Sequence, residues 1–412
     1  MIKRATAILS LTIAFIIALS SLAGCANTSK NPSGTADGGK DNNVTASPGK
    51  EIDPGDFAEM TVYYGVEGKA IATIPQNSEA TAVNGGIFYN SVKKMNDEDS
   101  MFTSEYHLIK GDGTDVLLGE IEYVGYEANY ARTELQGSVY TTYIEGDPYD
   151  YSNDSLYLLE FDLANKTIER YLISVDGYPY TTVAQANGKI LVTNYEQDAA
   201  LTNKLYEFDP AAKEVREVLS FTQTGSGTGG MRGVCSLSDG FLLLRLSMGT
   251  DSGLYADRYD SNYNKVSEQL ISDIIINAAA EFLTPEDAAQ EPGFIVFGLK
   301  VLNDRYLFYT NASMSCVIID LETGKVIASG GGEYQMSTGD GDPVIFLPQY
   351  QKEDKGKPFN VTGVKDGKAE AITFSGFDLR RLLSISIAKD GSRLLRLIES
   401  EGGQSLHLFA AD

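Results

Sequence analysis

The densest chemistry in the chain lies in twelve residues, where Tyr143, Tyr149 and Tyr151 alternate with Glu145, Asp147, Asp150 and Asp154. Aromatic faces beside carboxylates suit a sugar ring, a cationic group or a protein partner. The same carboxylates act as a glycosidase acid and base only at defined separations across a substrate. Tyr123, Tyr126 and Tyr130 precede the stretch, and Tyr178 and Tyr180 follow it. Read as a loop between two strands, these seven residues form a candidate ligand-binding surface. The plainer alternative is a solvated loop whose tyrosines pack between neighbours. No residue is assigned a catalytic role.

Other stretches offer less. Asp340-Gly341-Asp342 and Asp112-Gly113-Thr114-Asp115 crowd oxygen ligands as calcium loops do. Neither has the EF-hand spacing, and Asp-Gly is ordinary turn chemistry. No cofactor is expected, and a structural calcium is the one metal these loops suit. Residues 224–230 contain a G-x-G-x-x-G match, but another strand-like run, Val234-Cys235-Ser236-Leu237, follows. A phosphate there would meet no helix N-terminus. Two histidines, His107 and His407, are too few for a His-rich metal site. Cys235 and Cys316 fall in or beside apolar runs and read as buried free thiols, with one bridge as the alternative.

Those residues need a scaffold, and one β-unit recurs to supply it. Lys204-Leu205-Tyr206-Glu207-Phe208-Asp209, an Asp-led turn and Val215 to Leu219 read as strand, turn, strand. Ser155 to Asp162, Leu254 to Asp260 and Cys316 to Asp320 are variants, each with its own following strand. The fourth residue after the Asp is Lys166, Lys213, Asn264 or Gly324; Asn and Gly suit a left-handed turn position, and Lys suits it less well. Between these units lie apolar runs opened by polar turns, such as Asn84-Gly85-Gly86, Gln136-Gly137, Asn187-Gly188 and Ser238-Asp239-Gly240. Their spacing is close to 50 residues. A near-constant period with two hairpins per unit is how a β-propeller blade reads in sequence.

Seven units of four antiparallel strands are counted, beginning near Ala80, Thr133, Thr182, Gly233, Phe294, Pro343 and Leu382; six or eight fit as alternatives, since the sixth is weak. The last unit stops after three strands, while Met60 to Tyr64 and Lys69 to Ile74 are strands without a unit. The N-terminal segment is therefore expected to close the ring as the outer strand of the last blade. The longer fourth interval contains Thr284-Pro285-Glu286-Asp287, a helix start, and predicts a short helical excursion. Residues 57–412 thus resemble bacterial secreted and lipoprotein β-propellers in the broad sense. The chain has no Trp, which sets it apart from WD-type and quinoprotein propellers.

The start of the chain carries an address. Lys3 and Arg4, an apolar run from Ile8 to Leu19, and Leu22-Ala23-Gly24-Cys25 follow in order. The run is short for a membrane span and has a small-residue exit, as a signal peptide does. The Leu-Ala-Gly-Cys ending resembles the bacterial lipobox, which implies cleavage after residue 24 and a lipid on the Cys25 thiol. An ordinary secretory signal is the alternative. Residues 25–56 are polar and Gly/Ser/Asn-rich, and read as a tether. The net charge of −24 argues against nucleic acid and anionic surfaces. These observations predict a lipid-anchored extracytoplasmic propeller that binds an envelope glycan, peptide or protein. A carbohydrate-active lyase or hydrolase is the alternative, and a structural subunit of an envelope complex is a third reading.

Overall fold

The computed structural model describes residues 50–51, 58–65, 68–96, 101–124, 132–147, 150–177, 181–195, 202–222, 230–247, 252–290, 296–311, 316–331, 334–348, 359–374, 381–399 and 403–409. The sheets of these residues form a β-propeller of seven blades. Strand β1 is Lys50–Glu51, β2 is Glu59–Tyr64 and β3 is Lys69–Pro75. Blade 1 comprises β4 (Glu79–Val83), β5 (Gly86–Asn96), β6 (Met101–Lys110) and β7 (Asp115–Val124). Blade 2 comprises β8 (Arg132–Leu135), β9 (Ser138–Asp147), β10 (Asp150–Asp162) and β11 (Thr167–Ser174). Blade 3 runs through β12 (Val183–Ala186), β13 (Lys189–Tyr195), β14 (Thr202–Asp209) and β15 (Glu214–Thr222). Blade 4 holds β16 (Gly230–Leu237), β17 (Gly240–Ser247), β18 (Gly253–Asp260) and β19 (Lys265–Leu270).

Two short helices follow, α1 (Ser272–Ala279) and α2 (Pro285–Ala288). Thr284 caps α2 by accepting from the Asp287 amide at 3.2 Å, as its sequence predicts. Blade 5 comprises β20 (Val296–Leu302), β21 (Tyr306–Asn311), β22 (Cys316–Asp320) and β23 (Lys325–Gly330). Blade 6 comprises β24 (Gln335–Met336), β25 (Ile345–Phe346), β26 (Phe359–Lys365) and β27 (Lys368–Phe374). Blade 7 has β28 (Arg381–Ile387), β29 (Arg393–Ile398) and β30 (Gln404–Phe409), then β2 and β3.

The packing explains the sequence pattern. Middle strands are covered on both faces, so β13 and β17 read as Ile190-Leu191-Val192 and Phe241-Leu242-Leu243-Leu244 rather than alternating. Outer strands face water, and β19 is exposed along almost its whole length. Seven buried clusters fill the seven wedges between adjacent blades. Helix α1 completes the wedge between blades 4 and 5 by burying Ile275 and Ala278.

Ring closure comes from the N-terminal side of the chain, as expected, with two departures. Strand β2 pairs with β30 in parallel, Thr61 opposite Ser405, and β3 adds a fifth strand beyond it. Met60 and Val62 are fully buried in the wedge between blades 7 and 1. Within the expected tether, β1 pairs with β5, Lys50 opposite Met95.

The hairpin turns depart from expectation in one detail. Each closing Asp accepts from its turn amides, as at Asp162 with Ala164 (2.9 Å) and Asn165 (2.8 Å). Lys166 and Lys213 do take the left-handed position, at φ 58° each, as Gly324 does at 66°. In blade 4 that position belongs to Tyr263 and not to Asn264. Asn264 instead ties both its backbone and its side-chain amide to Asp260. The hydrogen bonds these Asp residues accept therefore outweigh the cost of a Cβ at positive φ.

The sixth blade also differs from its sequence reading. The sequence starts this unit near Pro343, with the apolar run Val344 to Leu347 as its first strand. The first strand is instead Gln335–Met336, and Ile345–Phe346 is the second. What is a turn of two to five residues in other blades is here the longer segment 337–344.

Candidate functional site

Propeller connectivity gives the disc two unlike faces. One carries the short turns between first and second strands and between third and fourth; we call it the turn face. The other carries the connections between second and third strands and between blades, and is the loop face. The Tyr143–Asp154 stretch lies at the loop face. Apart from the tip at 148–149, it is a strand hairpin and not the loop its composition suggests: β9 pairs with β10, with Ser155 opposite Glu145 and Asp150 opposite Asp147.

That register sorts the candidates by side. Tyr143 is buried towards blade 1, in one cluster with Phe88, Tyr106 and Phe161. Glu145, two residues on, shares that side. Asp154 is buried on the opposite side, over Gly146. A Cβ on Gly146 would lie 1.7 Å from the Asp154 carboxylate, so only glycine admits that approach. The Asp154 carbonyl also accepts from Gly177 N at 2.6 Å. Glu145 and Asp154 therefore stand on opposite faces of one sheet and do not flank a common substrate position. Asp147, Asp150 and Tyr151 belong to the paired strands, with side chains outside the described residues. Tyr149 and Cys25 lie outside the described residues altogether, as do Tyr126, Tyr130, Tyr178, Tyr180 and the glycine-rich run 224–229.

Around Glu145 the structure gathers two residues that sequence reading missed. Arg170 of β11 lies 3.6 Å from Glu145, and its guanidinium sits 4.6 Å from the centre of the Tyr157 ring. Tyr157 stacks on Tyr143 at 5.5 Å, and Arg170 donates to the Tyr143 hydroxyl at 3.5 Å. Burial, with the Glu145 charge as a smaller contribution, pushes the Tyr143 phenol up to about 12; Tyr157 is raised for the same reasons. Both tyrosines are neutral donors at physiological pH. Arg170 and Glu145 remain half-exposed, with side-chain accessibilities of 49% and 45%. The result is an exposed cation, a carboxylate and an aromatic face beside one another. Pairing of β10 with β11 creates it, so the only sequence signal was an arginine on an otherwise alternating outer strand.

The turn face is built differently. Segment 337–344 crosses the inner end of the ring there. Thr338 N donates to Ile385 O of blade 7 at 2.9 Å, and Ile387 N donates back to Thr338 O at 2.9 Å. The Asp340 carboxylate accepts from Thr133 Oγ1 of blade 2 at 3.0 Å and from the Glu134 amide. Lys300 of blade 5 donates to the Gly339 carbonyl. Desolvation holds the Lys300 ammonium below its usual range, against the opposing pull of Asp340 and Asp342. Adjacent turns add Ser238 to Asp304 (2.8 Å) and Asp390 to Asn84 (3.1 Å). One segment thus joins blades 2, 5, 6 and 7 and covers the axis at this face.

The remaining candidates are engaged locally. Asp112 caps its own turn through the Thr114 amide at 2.9 Å. Asp115 accepts from Tyr89 at 2.7 Å and meets His107 at 3.1 Å. His407 stacks on Tyr63 at 4.0 Å and bonds Ser405 at 3.0 Å. Among the described residues no group of three or more His, Cys, Asp or Glu is placed to hold a metal ion. Cys235 and Cys316 are buried free thiols.

No protein-family model and no curated protein matches the chain. Among solved structures it is similar to a chain of the crystal structure of the mitotic checkpoint complex, with 11% identity and a TM-score of 0.39 over 94% of this chain and 99% of that one. It is also similar to the dihydro-heme d1 dehydrogenase NirN in complex with DHE, with 14% identity and a TM-score of 0.41 over 86% of this chain and 69% of that one.

Proposed function

We propose that the protein is a lipid-anchored extracytoplasmic binding module, displaying its propeller through Cys25 and the tether, and engaging an envelope glycan, peptide or protein at the loop face. The observation that carries this reading is the half-exposed Glu145–Arg170 pair beside the Tyr157 ring. A guanidinium and a carboxylate at one spot offer donors and an acceptor to a polar polymer, and the Tyr157 ring holds the guanidinium in place. The turn face supports the assignment by contrast, because segment 337–344 and the turn-to-turn bonds already occupy its centre. A rigid disc with variable connections on one face is a general platform for recognition. The acidic net charge argues against nucleic acid as the partner.

Two experiments test this. Cys25→Ser should move the protein from the membrane fraction to the soluble one; a protein that stays membrane-bound refutes the anchor. The full chain should co-sediment with purified envelope fragments, and Arg170→Ala with Tyr157→Ala should release it. Digesting the fragments beforehand with a muramidase or a protease tells glycan from peptide or protein. Equal sedimentation of the wild type and the double variant refutes the loop-face site.

A further inference from the structure

The sixth blade is under-built, and the gap it leaves has chemistry of its own. Strands β24 and β25 are two residues each, where the corresponding strands elsewhere run from four to eleven. Strand β26 therefore meets β25 only at Val361 and Thr362. Between blades 6 and 7 this leaves a cavity of about 370 Å³. Its lining is mixed: apolar side chains of Val344, Val361 and Ile372 on one side and Ile385 and Ile387 on the other share it with polar and charged groups. Gly363 lies on the wall, and a Cβ there would make ordinary contacts at 3.5 Å with Ile372 and 3.6 Å with Val344. Its backbone does not need glycine, because its φ is outside the left-handed region. The missing side chain is therefore space left open.

Charged groups of both signs border the apolar walls. Three are engaged: Asp340 with Thr133, Lys389 with the Glu134 carbonyl at 3.2 Å, and Glu370 with Lys365 at 3.9 Å. The exposed Asp342 and the half-buried Arg393 also line the cavity; among the described residues neither makes a side-chain hydrogen bond or ion pair, though the Asp342 charge acts at longer range on the buried Lys300 ammonium. A free guanidinium pairs with a carboxylate through two parallel bonds, and a free carboxylate accepts from an ammonium. The volume is at the small end of ligand pockets.

We propose that this cavity binds a small zwitterion with an apolar body, of amino-acid or dipeptide size, with its carboxylate on Arg393 and its ammonium on Asp342. The site is separate from the loop-face surface, and it lies where the sixth repeat departs from the others.

The test is calorimetric titration of the full chain with L-leucine and L-leucyl-L-leucine, and with N-acetyl-leucine and leucinamide as end-blocked controls. One of the two zwitterions should bind saturably. Blocking either end, Arg393→Gln, or Asp342→Asn should each weaken binding about tenfold or more, the range of a lost charge-assisted hydrogen bond. Gly363→Leu, which fills the cavity without touching a charge, should abolish it. If Gly363→Leu fails to fold, Gly363→Ala with Val361→Leu serves the same purpose. No saturable binding by either zwitterion overturns the proposal, and so does binding that survives a folded, filled cavity.

Discussion

If β2 locks the ring, truncating its buried side chains should cost as much as truncating the centre of a blade. Met60 and Val62 have no accessible surface, and they pack in one cluster with Ile74, Ile87, Leu394, Leu406 and Leu408. Met60→Ala should lose about 2–5 kcal/mol, the transfer free energy of the removed atoms plus the cavity left behind. Val62→Ala removes two carbons and should lose about 1.5–3 kcal/mol. The residues share neighbours, so the double variant should lose less than the two losses combined. For a domain of this size, 1 kcal/mol shifts the melting temperature by about 1.5 °C, so Met60→Ala should melt roughly 3–7 °C lower. The control is Val266→Ala on outer strand β19, where the side chain is 60% exposed and the change should stay within about 0.5 kcal/mol. Urea unfolding followed by tyrosine emission suits a chain with 24 Tyr and no Trp. Met60→Ala indistinguishable from Val266→Ala would refute the locking role.

Four further outcomes are expected. Deleting residues 57–75 removes β2 and β3 and should abolish a cooperative transition; an unchanged melt argues against closure by this segment. Asp340→Ala should cost about 1–3 kcal/mol and open segment 337–344 to limited proteolysis, because the Thr133 and Glu134 donors lose their acceptor. Burial pushes the thiols of Cys235 and Cys316 up to about 12 and about 11. Unfolded thiols lose their protons from roughly pH 8.5. Their contribution is complete below that pH and falls by about 1.4 kcal/mol per pH unit per thiol as pH rises through the window. Urea midpoints from pH 8 to 11 measure it, and Cys235→Ala should flatten the slope. Lys213→Met leaves the buried Glu160 carboxylate, among the described residues, with Ser138, Tyr140 and Tyr171 as partners, and should destabilise by about 1–3 kcal/mol in thermal melts at pH 7.

The ring was legible because most of its units obey one grammar. An Asp closing the third strand marks the hairpin in blades 2, 3, 4 and 5, and doubly covered strands print unbroken apolar runs. Closure was legible from arithmetic, since three strands at one end and two spare strands at the other make one sheet. The sixth blade was misread because Val344 to Leu347 is as apolar as a first strand elsewhere, and sequence gives no sign that Gln335–Met336 pairs with it. The candidate site was half legible. Composition located Tyr143 and Glu145, but the two-residue alternation of a strand put Asp154 on the other side of the sheet. Arg170 and Tyr157 joined the site through strand pairing, which local sequence does not display. The axial segment was missed for a related reason: Asp340-Gly341-Asp342 reads as an ordinary turn, and its partners in blades 2 and 5 are distant in sequence.

The parallel pairing of β2 with β30 also sets an order of events as the chain folds. Thr61 meets Ser405, so the contact spans nearly the whole described chain. Each blade is a local meander, and its strands find partners within a few tens of residues, at low loop-closure cost. The β2–β3 hairpin must wait, with one edge of β2 unpaired, until residues 404–409 have emerged and the other blades have formed an arc. Closing an unstructured loop of that length would cost about 5 kcal/mol in chain entropy, and a preformed arc leaves only one wedge to close. A chain synthesised from its N-terminus therefore carries an adhesive strand edge through most of its synthesis, so the interval before closure is when it is most exposed to mispairing with another copy.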